Sequence, residues 1–313
     1  MFVLSRMVAE ANAPDHPPPP PGRPAYLGGV PVSLLAGLNG RDMLAANTKS
    51  HNFLGLPMSR STALSVLALL APLTSAPAWA HFQEIIPSTD IVADSGDLAV
   101  SLELTFTHPM EGGPVMDMGK PTRVGVLSPA GHQDLGKSLV AVKKGNGKTA
   151  YTLSHKLAEP ADYVFYVEPA PYWEPGEGKN IIHYSKVVVD MGSGEGWDKL
   201  VGLPVEIEPL VRPYGLWTGN LFRGIVRKDG KTVPFAEIEV EWKNDGSVKA
   251  PSDPFVTQVI KADAQGQFAY AMPRAGWWGF AALVDGKKSK NPDGKLVPTE
   301  LGGLIWVKAV DMK

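Results

Sequence analysis

The chain has 313 residues, nearly equal numbers of basic (30) and acidic (32) side chains, and no cysteine. Such balance leaves no basic field for nucleic acid, and the missing thiols exclude disulfides, iron–sulfur clusters, thiolate metal sites and cysteine nucleophiles. Frequent glycine and proline (33 and 29 residues), with no long stretch of helical periodicity, point to an all-β protein rich in turns.

In chain order, residues 1–57 read as a doubtful N-terminal extension: a proline run, Pro17 to Pro21, lies in a segment without apolar periodicity. Met58 opens a better-formed leader, with Arg60 as its charge, Ala63 to Leu73 as its apolar core and Ala78-Trp79-Ala80 as a small-x-small cleavage pattern. Residues 58–80 are therefore expected to be a signal peptide cut after Ala80. The apolar core falls short of the roughly 20 residues a membrane span needs, so no stable membrane insertion of the mature chain is expected. The mature protein would begin at His81. A terminal histidine offers its α-amine and ring Nδ1 as a chelating pair, and the amine titrates low enough, at about 7.7–8.0, to bind metal near neutral pH.

Residues 81–212 read as a first β-rich unit. Leu98, Val100, Leu102, Leu104 and Phe106 alternate with smaller or polar residues, as in a half-buried strand, and the same parity carries on to His108, where Pro109 stops it. Further strands are expected at Val124–Leu127, Tyr151–Leu157, Tyr163–Val167 and Ile181–Asp190. Residues 213–313 read as a second sandwich, with strands at Leu221–Arg227, Ala236–Trp242, Val256–Lys261, Gln267–Met272, Trp277–Val284 and Leu304–Val307. Its pattern Gly224-x-Val226, Asp229-Gly230, Pro234, Ala236-x-Ile238-x-Val240, Asp263, Gly266-x-Phe268, Pro273 and Gly276-Trp277 resembles the carboxypeptidase-regulatory or transthyretin-like sandwich. That is a packing signature, carried by proteins of many functions. The expectation is thus two β-sandwich (Ig-like/transthyretin-like) units after a signal peptide.

The histidines of the mature part are His81, His108, His132, His155 and His183. His108 opens the glycine-rich run His108-Pro109-Met110-Glu111-Gly112-Gly113, which sets Met110 and Glu111 beside an imidazole; imidazole and carboxylate suit nickel, cobalt, zinc or copper(II), and thioethers favour copper(I). Met116 and Met118 further along read as apolar plugs. His183 starts a strand after the loop bearing Tyr172, Trp173, Glu174 and Glu177; the aromatics can wall a site or pack the loop, and the glutamates can ligate or face solvent. His132, in a turn, and His155, before Lys156, are left out. The chain has no G-x-S-x-G elbow, phosphate loop or H-E-x-x-H helix, so it is read as a non-enzyme.

His81-Phe82-Gln83, Ile86-Pro87-Ser88, Thr105-Phe106-Thr107-His108-Pro109-Met110-Glu111, Met116-Asp117-Met118 with Lys120-Pro121, Pro171-Tyr172-Trp173-Glu174-Pro175 and Ile182-His183-Tyr184-x-Lys186 together resemble the periplasmic component of nickel/cobalt uptake systems of the energy-coupling-factor type, a family long known only as a domain of unknown function. The resemblance implies a periplasmic protein that binds Ni2+ or Co2+ and works with membrane transporter subunits. It adds weight to His81, His108 and His183 as ligands. Two other expectations stand beside it. One is a copper-binding protein or copper redox enzyme, because an N-terminal histidine plus another forms an amine–imidazole brace for Cu2+. The other is a structural or adhesive pair of sandwiches.

Overall fold

The computed structural model describes residues 81–93, 98–192 and 194–313, all within one compact unit. The expected extension, signal peptide and cleavage point lie outside the described residues. The strands run β1 (Phe82–Pro87), β2 (Ala99–Thr107), β3 (Arg123–Ser128), β4 (Gly131–Asp134), β5 (Val140–Lys143), β6 (Thr149–Lys156), β7 (Asp162–Glu168), β8 (Tyr172–Glu174), β9 (Lys179–Asp190) and β10 (Val205–Pro209). They continue as β11 (Leu216–Trp217), β12 (Leu221–Lys228), β13 (Lys231–Thr232), β14 (Glu237–Trp242), β15 (Gln258–Lys261), β16 (Gln267–Ala271), β17 (Gly276–Asp285), β18 (Ser289–Lys290), β19 (Leu296–Val297) and β20 (Thr299–Val310). Helix among the described residues is confined to the short turns Gly136–Ser138 and Asp253–Phe255. The second of these takes up Val256, so the strand expected from Val256 begins at Gln258 instead. The all-β expectation holds.

A ten-stranded sheet in the order β15-β14-β17-β20-β9-β7-β3-β4, with β11 on β20 and β8 on β9, forms the middle of the molecule. β9 and β20 pair in parallel, Asn180 to Val187 against Thr299 to Trp306. A four-stranded sheet, β1-β2-β6-β5, packs on one face, where Phe82, Leu102, Leu104, Phe165, Val187, Leu304 and Trp306 make a first core. Residues of opposite parity, Phe280, Ala282, Ile305 and Val307, meet Ile207, Phe222 and Phe268 from the β10-β12-β16 sheet in a second core. Central strands covered on both faces need no alternation, which is why Phe280-Ala281-Ala282 and Leu304 to Val307 are continuous apolar runs. Position 212–213 falls between β10 and β11, and the ten-stranded sheet draws strands from both sides of it. No helix of the described residues is long and apolar enough to cross a membrane.

Candidate functional site

The site is set by strand register. β1 and β2 pair antiparallel with Phe82 opposite Thr107 and Gln83 opposite Phe106, so one step further along the same ladder puts His81 opposite His108. Their rings lie 4.8 Å apart between centroids, and both are 5% exposed. Gln83 ties this end down: its buried amide donates to the carbonyls of Thr105 (3.0 Å) and Glu84 (2.9 Å).

His183 comes in from the central sheet. It sits on β9 opposite Gly302 of β20. A Cβ on Gly302 would lie 2.4 Å from His183 Cδ2, so the ring can lie across the strand only because this position is glycine. Phe106 lies between the histidines, its ring centroid 5.6 Å from that of His81 and 6.2 Å from that of His183. Tyr172 closes the side, 5.0 Å from Phe106 and 5.8 Å from His81. A cavity of about 20 Å³, walled by Phe106, Met118, Tyr172, Ile181 and His183, lies beside them. That is room for one water-sized occupant.

Carboxylates hold both outer histidines by the same nitrogen. His81 Nε2 is 3.0 Å from Glu174 Oε2, and His183 Nε2 is 3.1 Å from Glu300 Oε1. In each ring this leaves Nδ1 turned to other work. His183 Nδ1 is buried with no hydrogen-bond partner among the described residues, a costly state for an imidazole nitrogen unless something else meets it. Burial, and then the charge of His183, press the His81 pKa below its usual 6.5 against the opposing pull of Glu174 and Glu177. Burial also works to raise Glu300, but its bond to His183 and its ion pair with Lys179 (2.5 Å) win and draw it to about 2. Glu239 on β14 goes the other way: burial, with Glu300, Glu241 and Glu237 close by, pushes it to about 8.

Of the sequence-derived candidates, His81 lies against Phe106 and Tyr172, His183 lines the pocket beside Phe106, and His108 stands next to His81. Met110 packs into the second core, and its backbone N–H donates to the buried Glu241 carboxylate (3.0 Å). Glu111 is exposed. Glu174, open to either role in the sequence, joins His81. His132 is exposed and His155 packs beside Phe165. Among the described residues no three His, Asp or Glu side chains stand close enough to hold a metal by themselves. Glu300 and Gly302 went unread in the sequence. Their one signal is that β20 would continue in register back from Leu304 through both of them.

A central sheet shared between sandwich faces, with the buried His81–His108 pair at one end, defines the class: an all-β protein. The chain belongs to the family described as "Domain of unknown function (DUF4198)", whose model matches residues 78–286. No curated protein matches it. Among solved structures it is similar to E. coli alpha-2-macroglobulin in its native conformation at 12% identity, covering 74% of this chain and 14% of that one, with a TM-score of 0.22. It is also similar to MtrC from Shewanella baltica at 7% identity (75% and 71% covered, TM-score 0.22) and to the tandem Ig repeats of Dlar at 14% (72% and 100%, TM-score 0.17). At these scores the likenesses carry no argument about function.

Proposed function

We propose that the processed chain, beginning at His81, is a periplasmic carrier that captures nickel or cobalt as cargo and passes it to membrane transporter subunits. The observation that carries this reading is the meeting of His81 and His108 across the β1–β2 register, with His183 Nδ1 buried and unpartnered on the same aromatic pocket. Once the chain begins at His81, its α-amine and Nδ1 make one chelate, and the rings of His108 and His183 supply the remaining nitrogens. Nitrogen donors of this kind suit late first-row divalent ions. Glu174 and Glu300 act behind the ligands, each orienting a ring through Nε2, the role carboxylates commonly play beside metal-bound histidines. Met110 and Glu111 take no part.

The test is calorimetric titration of processed, untagged protein with Ni2+, Co2+, Cu2+ and Zn2+. His81→Ala, His108→Ala and His183→Ala should each weaken Ni2+ or Co2+ binding strongly, and His132→Ala should leave it unchanged. One added alanine before His81 turns the amine into a peptide nitrogen and should weaken binding as much as His81→Ala. Equal affinity for extended and processed chains would remove the terminal chelate from the mechanism. The His81–His108 pair also favours a second reading, since an amine and two imidazoles form a copper brace. Copper-loaded protein that makes peroxide with a reductant would move the reading from carrier to redox enzyme.

A further inference from the structure

A second cleft lies on the outer edge of the central sheet, built from residues the histidine pocket does not use. β3 and β4 form a tight hairpin that leaves β4 as the exposed edge strand. Tyr166 of β7 pairs with Gly125 of β3, which in turn pairs with Asp134 of β4. A Cβ on Gly125 would stand 2.5 Å from the Tyr166 hydroxyl, so the missing side chain is what lets the phenol lie across β3 towards β4. There its Oη comes to 3.4 Å from His132 Nδ1.

Arg123, opposite Glu168 in the same ladder, forms an ion pair with it and holds its guanidinium 5.1 Å from the Tyr166 ring centroid. An arginine stacked on a buried ring and braced by a carboxylate has little side-chain freedom left to lose on binding. Lys120 and Lys137 flank it, both exposed and without an ion-pair partner among the described residues. The acidic group facing the cleft, Asp134, has one oxygen occupied by the Gly136 N–H at 2.8 Å. Together these residues line a cleft of about 670 Å³, within the size range of small-molecule sites. With the charge of Glu168 taken up by Arg123, Lys120 and Lys137 outnumber Asp134 and leave the cleft with a net positive charge.

We propose that this cleft binds a small organic polyanion carrying carboxylate or phosphate groups. Arg123 offers planar, paired donors suited to either oxyanion, Lys120 and Lys137 add charge at the rim, and His132 and the Tyr166 hydroxyl add polar contacts. The volume exceeds the needs of a lone inorganic ion. The proposal is independent of the metal reading.

The experiment is calorimetry on metal-free processed protein at low salt, with citrate and pyrophosphate as probes and sorbitol as the neutral control. One or both anions should bind with a Kd of roughly 1 mM or tighter, and sorbitol should not. Binding by citrate alone or pyrophosphate alone assigns the carboxylate or the phosphate. The double reversal Lys120→Glu/Lys137→Glu, at exposed positions that leave the fold intact, should weaken binding by about tenfold or more. Lys287→Glu/Lys288→Glu, an equal charge change elsewhere on the surface, should not, nor should His81→Ala. The proposal is overturned if neither anion binds, or if both double reversals weaken binding alike, which would reduce it to general electrostatic attraction. Binding untouched by Lys120→Glu/Lys137→Glu would equally overturn it.

Discussion

At the scale of single residues, burial decides the chemistry of His81. Its pKa sits below 6.5 because the folded pocket disfavours a second proton. A histidine shifted this way contributes stability that is fully present above the unfolded value near 6.5 and is lost as pH falls through the lowered folded value. Its availability to a cation follows the same curve. On the proposed reading, metal affinity should begin to weaken as the α-amine takes up its proton below about 7.7–8.0, and the His81 ring should be given up only below 6.5, with binding falling away toward about pH 5. Calorimetry at stepped pH checks this. Affinity unchanged between neutral pH and about pH 5 would show that neither the amine nor an imidazole is a ligand. Asp162 shows the opposite sign. It is buried opposite Asp190 across β7 and β9, and burial with the neighbouring Asp190 charge raises its carboxyl to about 6. Between the unfolded value near 3.9 and 6 the folded state holds the extra proton, so the stability this group contributes declines as pH rises through that window. Asp162→Asn removes a buried charge at alkaline pH and keeps the shape. Solvent screening reduces the gain to about 1 kcal/mol, so Tm should rise by about 2–4 °C near pH 8 and hardly change near pH 4. An equal shift at both pH values would show that the carboxyl titrates normally.

At the scale of strands, what could be read in the sequence was set by how many faces each strand buries. β2 and β14 have one strongly apolar parity, so Val100, Leu102, Leu104 and Phe106, and Ile238, Val240 and Trp242, announced themselves by alternation. That alternation also placed His108 at the inner end of β2. β20 was legible only at Leu304–Val307, because Gly302-Gly303 looks like a turn. In the fold these glycines are close approaches: the His183 ring crosses Gly302, and the backbone of Val205 and Glu206 packs on Gly303. β1 passed unread as a strand although it follows directly on His81, since Gln83 and Glu84 are polar yet buried, satisfied by Thr105, Lys243 and backbone carbonyls. Convergence of the three histidines depends on pairing between distant strands, which no local pattern encodes. The glycine makes this testable. Gly302→Ala must displace the His183 imidazole, at a cost of about 1–3 kcal/mol for overpacking. It should lower Tm by about 2–4 °C for each kcal/mol and weaken metal binding much as His183→Ala does. A folded Gly302→Ala protein with undiminished affinity would separate His183 from the site.

At the scale of the whole molecule, the sequence divides at 212–213 by pattern, and the fold joins what lies on either side. The parallel β9–β20 pairing runs from Asn180 with Thr299 to Val187 with Trp306. Trp306, fully buried, donates its indole N–H to the carbonyl of Gln83 at 3.0 Å. Lys243 binds both oxygens of buried Glu84 at 2.8 Å, Glu241 accepts the Met110 N–H, and Glu300 holds His183 and Lys179. Removing residues 213–313 would leave the β9 edge unpaired and Phe82 without Trp306 and the glycine at 279 on which it rests. Each piece would lose a face of the central sheet, and a central strand stripped of a neighbour exposes both unpaired backbone and apolar side chains. Residues 81–313 should therefore melt in one cooperative step, with calorimetric and van't Hoff enthalpies equal. The pieces 81–212 and 213–313, made separately, should aggregate or remain unfolded, and should regain the near-ultraviolet signal of buried Trp306 only when refolded together. Two resolved transitions in the intact chain, or a folded, metal-binding 81–212 fragment, would show that the site needs only the first set of strands and that Glu300 and Gly302 are dispensable to it.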